Sequence, residues 1–81
     1  MPDRLKNGKK LVGVKQSGRA VQDGRAEVCY FAGDAEGRLV EPLRGSCAER
    51  GVEVVEVGTM ARLGELCGID IGAAAAVLLK K

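Results

Sequence analysis

Histidine and tryptophan are absent from the 81-residue chain, and the only aromatics are Tyr30 and Phe31. With no histidine, no paired carboxylates at a useful spacing and no cysteine in an evidently basic setting, the sequence offers no catalytic constellation. The two aromatics are adjacent, so on a strand they point to opposite faces and form no platform for stacked bases. No G-x-x-G loop of the KH kind and no G-x-G-x-x-G of a dinucleotide site occurs.

Cysteine is scarce too: Cys29, Cys47 and Cys67 are odd in number and widely spaced, with no C-x-x-C. Neither a disulfide framework nor a metal site is expected, and each thiol, set among apolar neighbours, reads as a small buried hydrophobe in a reducing compartment. The longest apolar run, residues 73–79, falls far short of the ~20 residues that span a bilayer. No signal-peptide pattern is seen, so a soluble, cytoplasmic protein without membrane or cofactor partners is expected. Its length suits one domain, residues 1–81, with one modest core.

What is present is asymmetric. The net charge is only +2, yet residues 1–25 hold seven Lys/Arg against two acids and residues 26–81 hold six against nine. A basic first third on a near-neutral body reads as a localised nucleic-acid patch.

Hydrophobic spacing places helical turns at residues 3–8, a strand at 11–14, a helix at 16–23 stopped by Gly24, and a continuously apolar interior strand at 28–32. Leu39, Val40, Leu43 and Cys47 then recur at helical spacing up to Gly51. Because proline is tolerated only in a first helical turn, Pro42 predicts that this helix begins near Leu39 and not at Gly37. A strand at 52–57, a helix capped by Thr59 and ended by Gly68, and a last strand at 73–79 complete the pattern. Alternation of short helices and strands predicts an α/β fold: a three-layer α-β-α sandwich around a four-stranded, mostly parallel (mixed) sheet.

The stretch from Gly13 to Arg19 stands out, since a short apolar run stops there and two glycines bracket a polar turn. Read as a strand-to-helix junction, it puts Lys15 and Arg19 in an opening helical turn, where the bare amides and the positive end of the dipole suit an anion. Four residues apart, the two cations face the same way and can clamp one phosphate backbone. Gly13 and Gly18 have the spacing of a Walker loop, but Arg19 and Ala20 stand where Lys and Ser/Thr would hold phosphates and magnesium, so nucleotide hydrolysis is not expected.

Over almost its whole length the chain resembles the kink-turn RNA-binding proteins of the ribosomal L-seven-Ae type, in particular their small bacterial members. The resemblance rests on Gly13-x-Lys15-Gln16-x-x-Arg19, on Phe31-Ala32-x-Asp34-Ala35, and most specifically on Leu63-Gly64-x-x-Cys67-Gly68-Ile69-Asp70-Ile71-Gly72 with the alanines after it. It implies a non-enzymatic, monomeric protein that binds structured RNA, as part of the ribosome or associated with it. A Gly-x-Asn-Glu-x-x-Lys segment in such proteins reads tandem sheared G·A pairs and flanking phosphates. The family's Asn falls here on Lys15, its Glu on Gln16 and its Lys on Arg19. A loop that covers a flipped-out nucleotide falls on Val57, Gly58, Thr59 and Met60, and Asp34 and Arg62 complete the implied RNA-binding set. Lys-Gln in place of Asn-Glu, a pattern the bacterial members share, favours phosphate contacts over base edges.

Two other readings compete. A protein-interaction module of the same fold would act through the acidic set Glu49, Glu53 and Glu56, which otherwise reads as a solvated face. An enzyme would need a carboxylate such as Asp34, but an Asp after a strand more often caps the next turn.

Overall fold

A computed structural model describes residues 8–80. The helical turns expected at residues 3–8 fall almost wholly outside the described residues. The elements are β1 (Lys10–Val12), α1 (Val14–Gln22), β2 (Ala26–Ala32), α2 (Gly37–Arg50), β3 (Glu53–Val57), α3 (Met60–Cys67) and β4 (Ala75–Leu79). They form a three-layer α-β-α sandwich around one four-stranded mixed sheet of order β1-β4-β2-β3.

Strand sense refines the expected parallel sheet. β2 and β3 pair in parallel, whereas β4 is antiparallel to both of its neighbours, β1 and β2. Three strands therefore run one way and β4 is inserted against them, so only one of the three ladders is parallel. The cause lies after α3. Residues 69–73 turn back along the helix they have just left, with Ile69 N–H donating to Gly64 O and Ala73 N–H to Met60 O, both at 3.0 Å. This return places the start of β4 at the end of the sheet where β3 finished.

The sheet divides the core into two layers. On β2, Cys29 and Phe31 face Val40, Leu43 and Cys47 of α2 and Ala20 and Val21 of α1. Val28, Tyr30 and Ala32 face Leu63, Leu66 and Cys67 of α3. β2 is thus buried on both faces, as its unbroken apolar run predicts. A bulge between Ala26 and Val28 resets the alternation, which is why Ala26 shares a face with Cys29 while Glu27 stays exposed.

α2 departs from expectation: it begins at Gly37, with Pro42 in its second turn. The N–H that proline lacks would have met the Arg38 carbonyl, and Arg38 lies on the exposed side of the helix. Leu39 N–H donates to Glu36 O at 3.0 Å, a tighter i→i−3 bond that starts the helix before the proline interrupts it. On the same helix Arg44 lies over the Phe31 ring, 4.3 Å from its centroid, and makes a two-pronged ion pair with Glu56 of β3. That pair holds the Glu56 carboxyl below its ordinary range.

Ser17, on the inner face of α1, is fully buried and its hydroxyl has no hydrogen-bond partner among the described residues. Replacing it with Ala removes an uncompensated polar atom and improves helix propensity. Ser17→Ala is expected to leave stability unchanged or raise it by up to about 1 kcal/mol, read as the urea midpoint; a loss of more than that would mean the hydroxyl has a partner in solution.

Candidate nucleic-acid interface

Backbone hydrogen bonds gather the marked stretches at one end of the sheet. Gly13 N–H donates to Ala75 O at 2.8 Å, Ala32 N–H to Ala74 O at 3.0 Å, and Gly33 N–H to Val57 O at 2.7 Å. The starts of α1, α3 and β4 and the ends of β1, β2 and β3 therefore lie side by side. In open α/β sheets, crevices beyond strand ends are where ligands tend to bind.

Gly13 holds φ at 109°, a region L side chains rarely adopt, and its conformation turns β1 directly into α1. No side chain caps α1, and its first turn contains no acidic residue. Lys15 and Gln16 are exposed in that turn. The helix starts two residues earlier than its sequence pattern suggests, at Val14, so Arg19 falls in its last turn and not its opening one. A cation there is favoured by the dipole, and it remains one helical step from Lys15 on the same face.

Ion pairing separates the cations. Arg25, Arg38, Arg44 and Arg62 each have a carboxylate within reach. Lys15 and Arg19 have none among the described residues, so both are available to an external anion.

The second expected stretch divides by role. Val57 ends β3 and is packed in the core, with little surface of its own. Gly58, Thr59 and Met60 are exposed, Met60 at 36%. Thr59 caps α3 by accepting from Arg62 N–H at 3.0 Å, and the Arg62 guanidinium shares an exposed pair with Glu65 at 3.3 Å. Asp34 does not cap its own turn. Its carboxylate accepts from Met60 N–H at 2.8 Å, which ties the loop after β2 to the start of α3. Asp34→Ala removes this brace and is expected to cost about 1–2 kcal/mol with faster amide exchange at Met60, whereas Asp34→Asn retains most of the effect; equal stability of all three proteins would deny the brace any role.

One surface element has no site role in the sequence reading. Ile71, on the segment that runs back along α3, is 74% exposed, the most of any large hydrophobic side chain described. It precedes Gly72, whose Cβ direction meets Met60, so two exposed apolar residues, Ile71 and Met60, belong to segments that pack together near the start of α3. The signal was an isoleucine within Gly-Ile-Asp-Ile-Gly, whose strand-like alternation is too short between its glycines to make a strand.

Among the described residues no group of three His, Cys, Asp or Glu side chains is placed to hold a metal ion, and all three cysteines are free and buried. No helix is long and apolar enough to cross a membrane among those residues.

The small α-β-α module, with helix starts and loops clustered at one sheet end, is matched over residues 1–81 by the model of the "Ribosomal protein L7Ae/L30e/S12e/Gadd45 family". The chain belongs to that family. It is 43% identical over 68 residues to the RNA-binding protein TTE2299 of Caldanaerobacter subterraneus subsp. tengcongensis, covering 84% of this chain and 83% of that one. It is 37% identical over 76 residues to the RNA-binding protein GK0100 of Geobacillus kaustophilus, covering 94% and 93%. Among solved structures, the Giardia lamblia 15.5kD RNA binding protein superposes with a TM-score of 0.92 at 26% identity, covering 99% of this chain and 71% of that one. RNA-binding proteins of this kind are a non-enzymatic class.

Proposed function

We propose that the chain binds structured RNA of the kink-turn kind, as a monomeric cytoplasmic protein that joins or accompanies the ribosome. The observation that carries this reading is the uncapped start of α1, where Lys15 and Arg19 have no carboxylate partner among the described residues and Gln16 is exposed between them. Bare amides and unpaired cations suit a closely approaching phosphate backbone, and the Gln16 amide can both donate and accept at a base edge. A kinked RNA exposes such edges, which a regular A-form duplex hides. Met60 and Ile71 supply an apolar margin at the same end for an unstacked base, with Asp34 fixing the loop that carries Met60. The family and the named relatives lend the RNA partner direct support.

The acidic protein-docking alternative loses its centre, because Glu56 is engaged by Arg44. Glu53 likewise has a partner.

The test separates positioning from readout. Lys15→Ala with Arg19→Ala is expected to lower the magnitude of the slope of log K against log salt by ~1–2 on kink-turn RNA. Gln16→Ala is expected to cost roughly 1–3 kcal/mol against the kink-turn and little against a plain duplex, with the slope nearly kept. Titrations of both RNAs at several salt concentrations give both quantities. If the double variant keeps affinity and slope, the start of α1 is only a solvated turn.

A further inference from the structure

A second set of cations lies at the opposite end of the sheet from the start of α1. Leu79 N–H donates to Lys9 O at 2.9 Å and Lys80 N–H donates to Arg25 O at 2.8 Å. Lys9 leads into β1, Lys80 follows β4 and Arg25 precedes β2, and these strands are neighbours in the order β1-β4-β2. Since adjacent strands lie about 4.8 Å apart, three cationic residues stand in a row across three strand ends. All three are exposed. Lys9 and Lys80 make no ion pair among the described residues. Arg25 shares only Asp23, at 3.5 Å with both side chains half exposed, a pairing too weak and solvated to neutralise it. The acid nearest the row on β2, Glu27, already has a partner of its own.

Arg19 connects the two ends. It lies in the last turn of α1, with Lys15 one step above it and Arg25 just beyond the helix. α1 has nine residues and so spans about 14 Å. Cations thus continue from the proposed site, past Arg19, to the row at the far end.

We infer that Lys9, Arg25 and Lys80 bind the phosphate backbone of a helical RNA stem that flanks the motif seated at the start of α1. The inference rests on the proposed function for the position of the motif. Backbone contacts of this kind carry no sequence information; they add affinity with stem length and register the stem along α1. The β3 side of the same end, by contrast, sets the acids Glu49 and Glu53 around the single cation Arg50, whereas the β1 side carries three cations, so the stem is placed on the β1 side.

The test compares wild type with K9Q/R25Q/K80Q on kink-turn RNAs whose flanking stem is either very short or longer by about one helical turn. The main-chain groups of these residues make the structural bonds, so the variant keeps the urea midpoint of the wild type. Wild type is expected to bind the long-stem RNA about tenfold more tightly than the short-stem one, with a salt slope larger in magnitude by ~2, and the variant to show neither gain. An equal gain in both proteins overturns the inference, as does an equal loss on both stem lengths in the variant. A polyglutamate peptide that binds wild type but not the variant, without competing against the long-stem RNA, assigns the row to an acidic protein and also overturns it. If wild type fails to prefer kinked RNA over plain duplex, the proposed function fails instead. Loss of affinity for a long plain duplex in the variant then still supports the row as a stem-binding surface, and unchanged affinity overturns it.

Discussion

Gly64→Ala unfolds the α3 side of the molecule or leaves it severely destabilised. A Cβ built at Gly64 lies 2.0 Å from Ile71 O, 3.0 Å from Ile71 C and 3.3 Å from Gly72 Cα. These are backbone atoms, so no rotamer change relieves the clash; residues 69–73 must move away from α3 as a unit. Moving them breaks the bonds from Ile69 N–H to Gly64 O and from Ala73 N–H to Met60 O, the two that steer the chain back to the start of β4. Overpacking of this severity is expected to cost at least 3 kcal/mol, a large part of the stability of a domain this small. Gly45→Ala provides the comparison. Gly45 is an exposed position inside α2 with nothing within 4 Å of its Cβ direction, so alanine there is expected to be neutral or to stabilise by up to about 1 kcal/mol. Urea unfolding followed by circular dichroism measures both, and a Gly64→Ala midpoint equal to that of wild type would remove the close approach from the account of the fold.

Gly64 also marks the boundary of what could be read in the sequence. Elements with a clear period or cap were legible: β2 from its unbroken apolar run, α3 from Thr59 and its apolar positions, and the layer order from alternation of helix and strand. The direction of β4 was not, because it depends on how closely residues 69–73 approach α3, and a missing Cβ at Gly64 is a tertiary fact with no local period. Pro42 misled for a related reason. The rule against proline beyond the first turn is a penalty, and an exposed carbonyl at Arg38 on a long helix reduces it.

The site was legible where charge and spacing carried it and obscure where partners decided it. Lys15, Gln16 and Arg19 stand exposed on α1, one face of one helix, as their spacing requires. Asp34 and Val57 show the limit. A carboxylate after a strand suggests a local cap, yet Asp34 reaches an amide 26 residues away; the resemblance puts Val57 in a nucleotide-covering loop, yet Val57 ends its strand and closes the core. Exposure of Ile71 likewise follows from the return of its segment along α3, which no pattern in Gly-Ile-Asp-Ile-Gly announces.

Stability is expected to fall as the pH rises through 9 and 10. Burial pushes the Cys29 thiol up, and the nearby Cys47, which hydrogen-bonds to it, adds to the rise against a smaller opposing pull from Arg44. Burial also raises Cys47, with Cys29 and Arg44 opposing it, and Cys67, with Lys10 opposing it. An unfolded thiol loses its proton near pH 8.5, while the folded thiols hold theirs to higher pH. Below pH 8.5 both states are protonated and the contribution to stability is fully present. Above it the unfolded state binds fewer protons than the folded one, so stability declines with pH until the folded values are reached. The Cys29 thiol, the most strongly raised of the three, contributes a slope of up to roughly 1.4 kcal/mol per pH unit, and Cys47 and Cys67 add to it until their own folded values are reached. Over two pH units Cys29 alone removes about 2–3 kcal/mol, a large part of the roughly 5–10 kcal/mol such a domain has in hand. Urea titrations at intervals between pH 7.5 and about 10.5 measure the slope, and Cys67→Ala, which removes one of the three groups, is expected to make it shallower even though its midpoint is lower throughout. A stability that stays flat across that range would show that the thiols ionise in the folded protein as readily as in the unfolded chain, and that the two core layers flanking the sheet admit water around them.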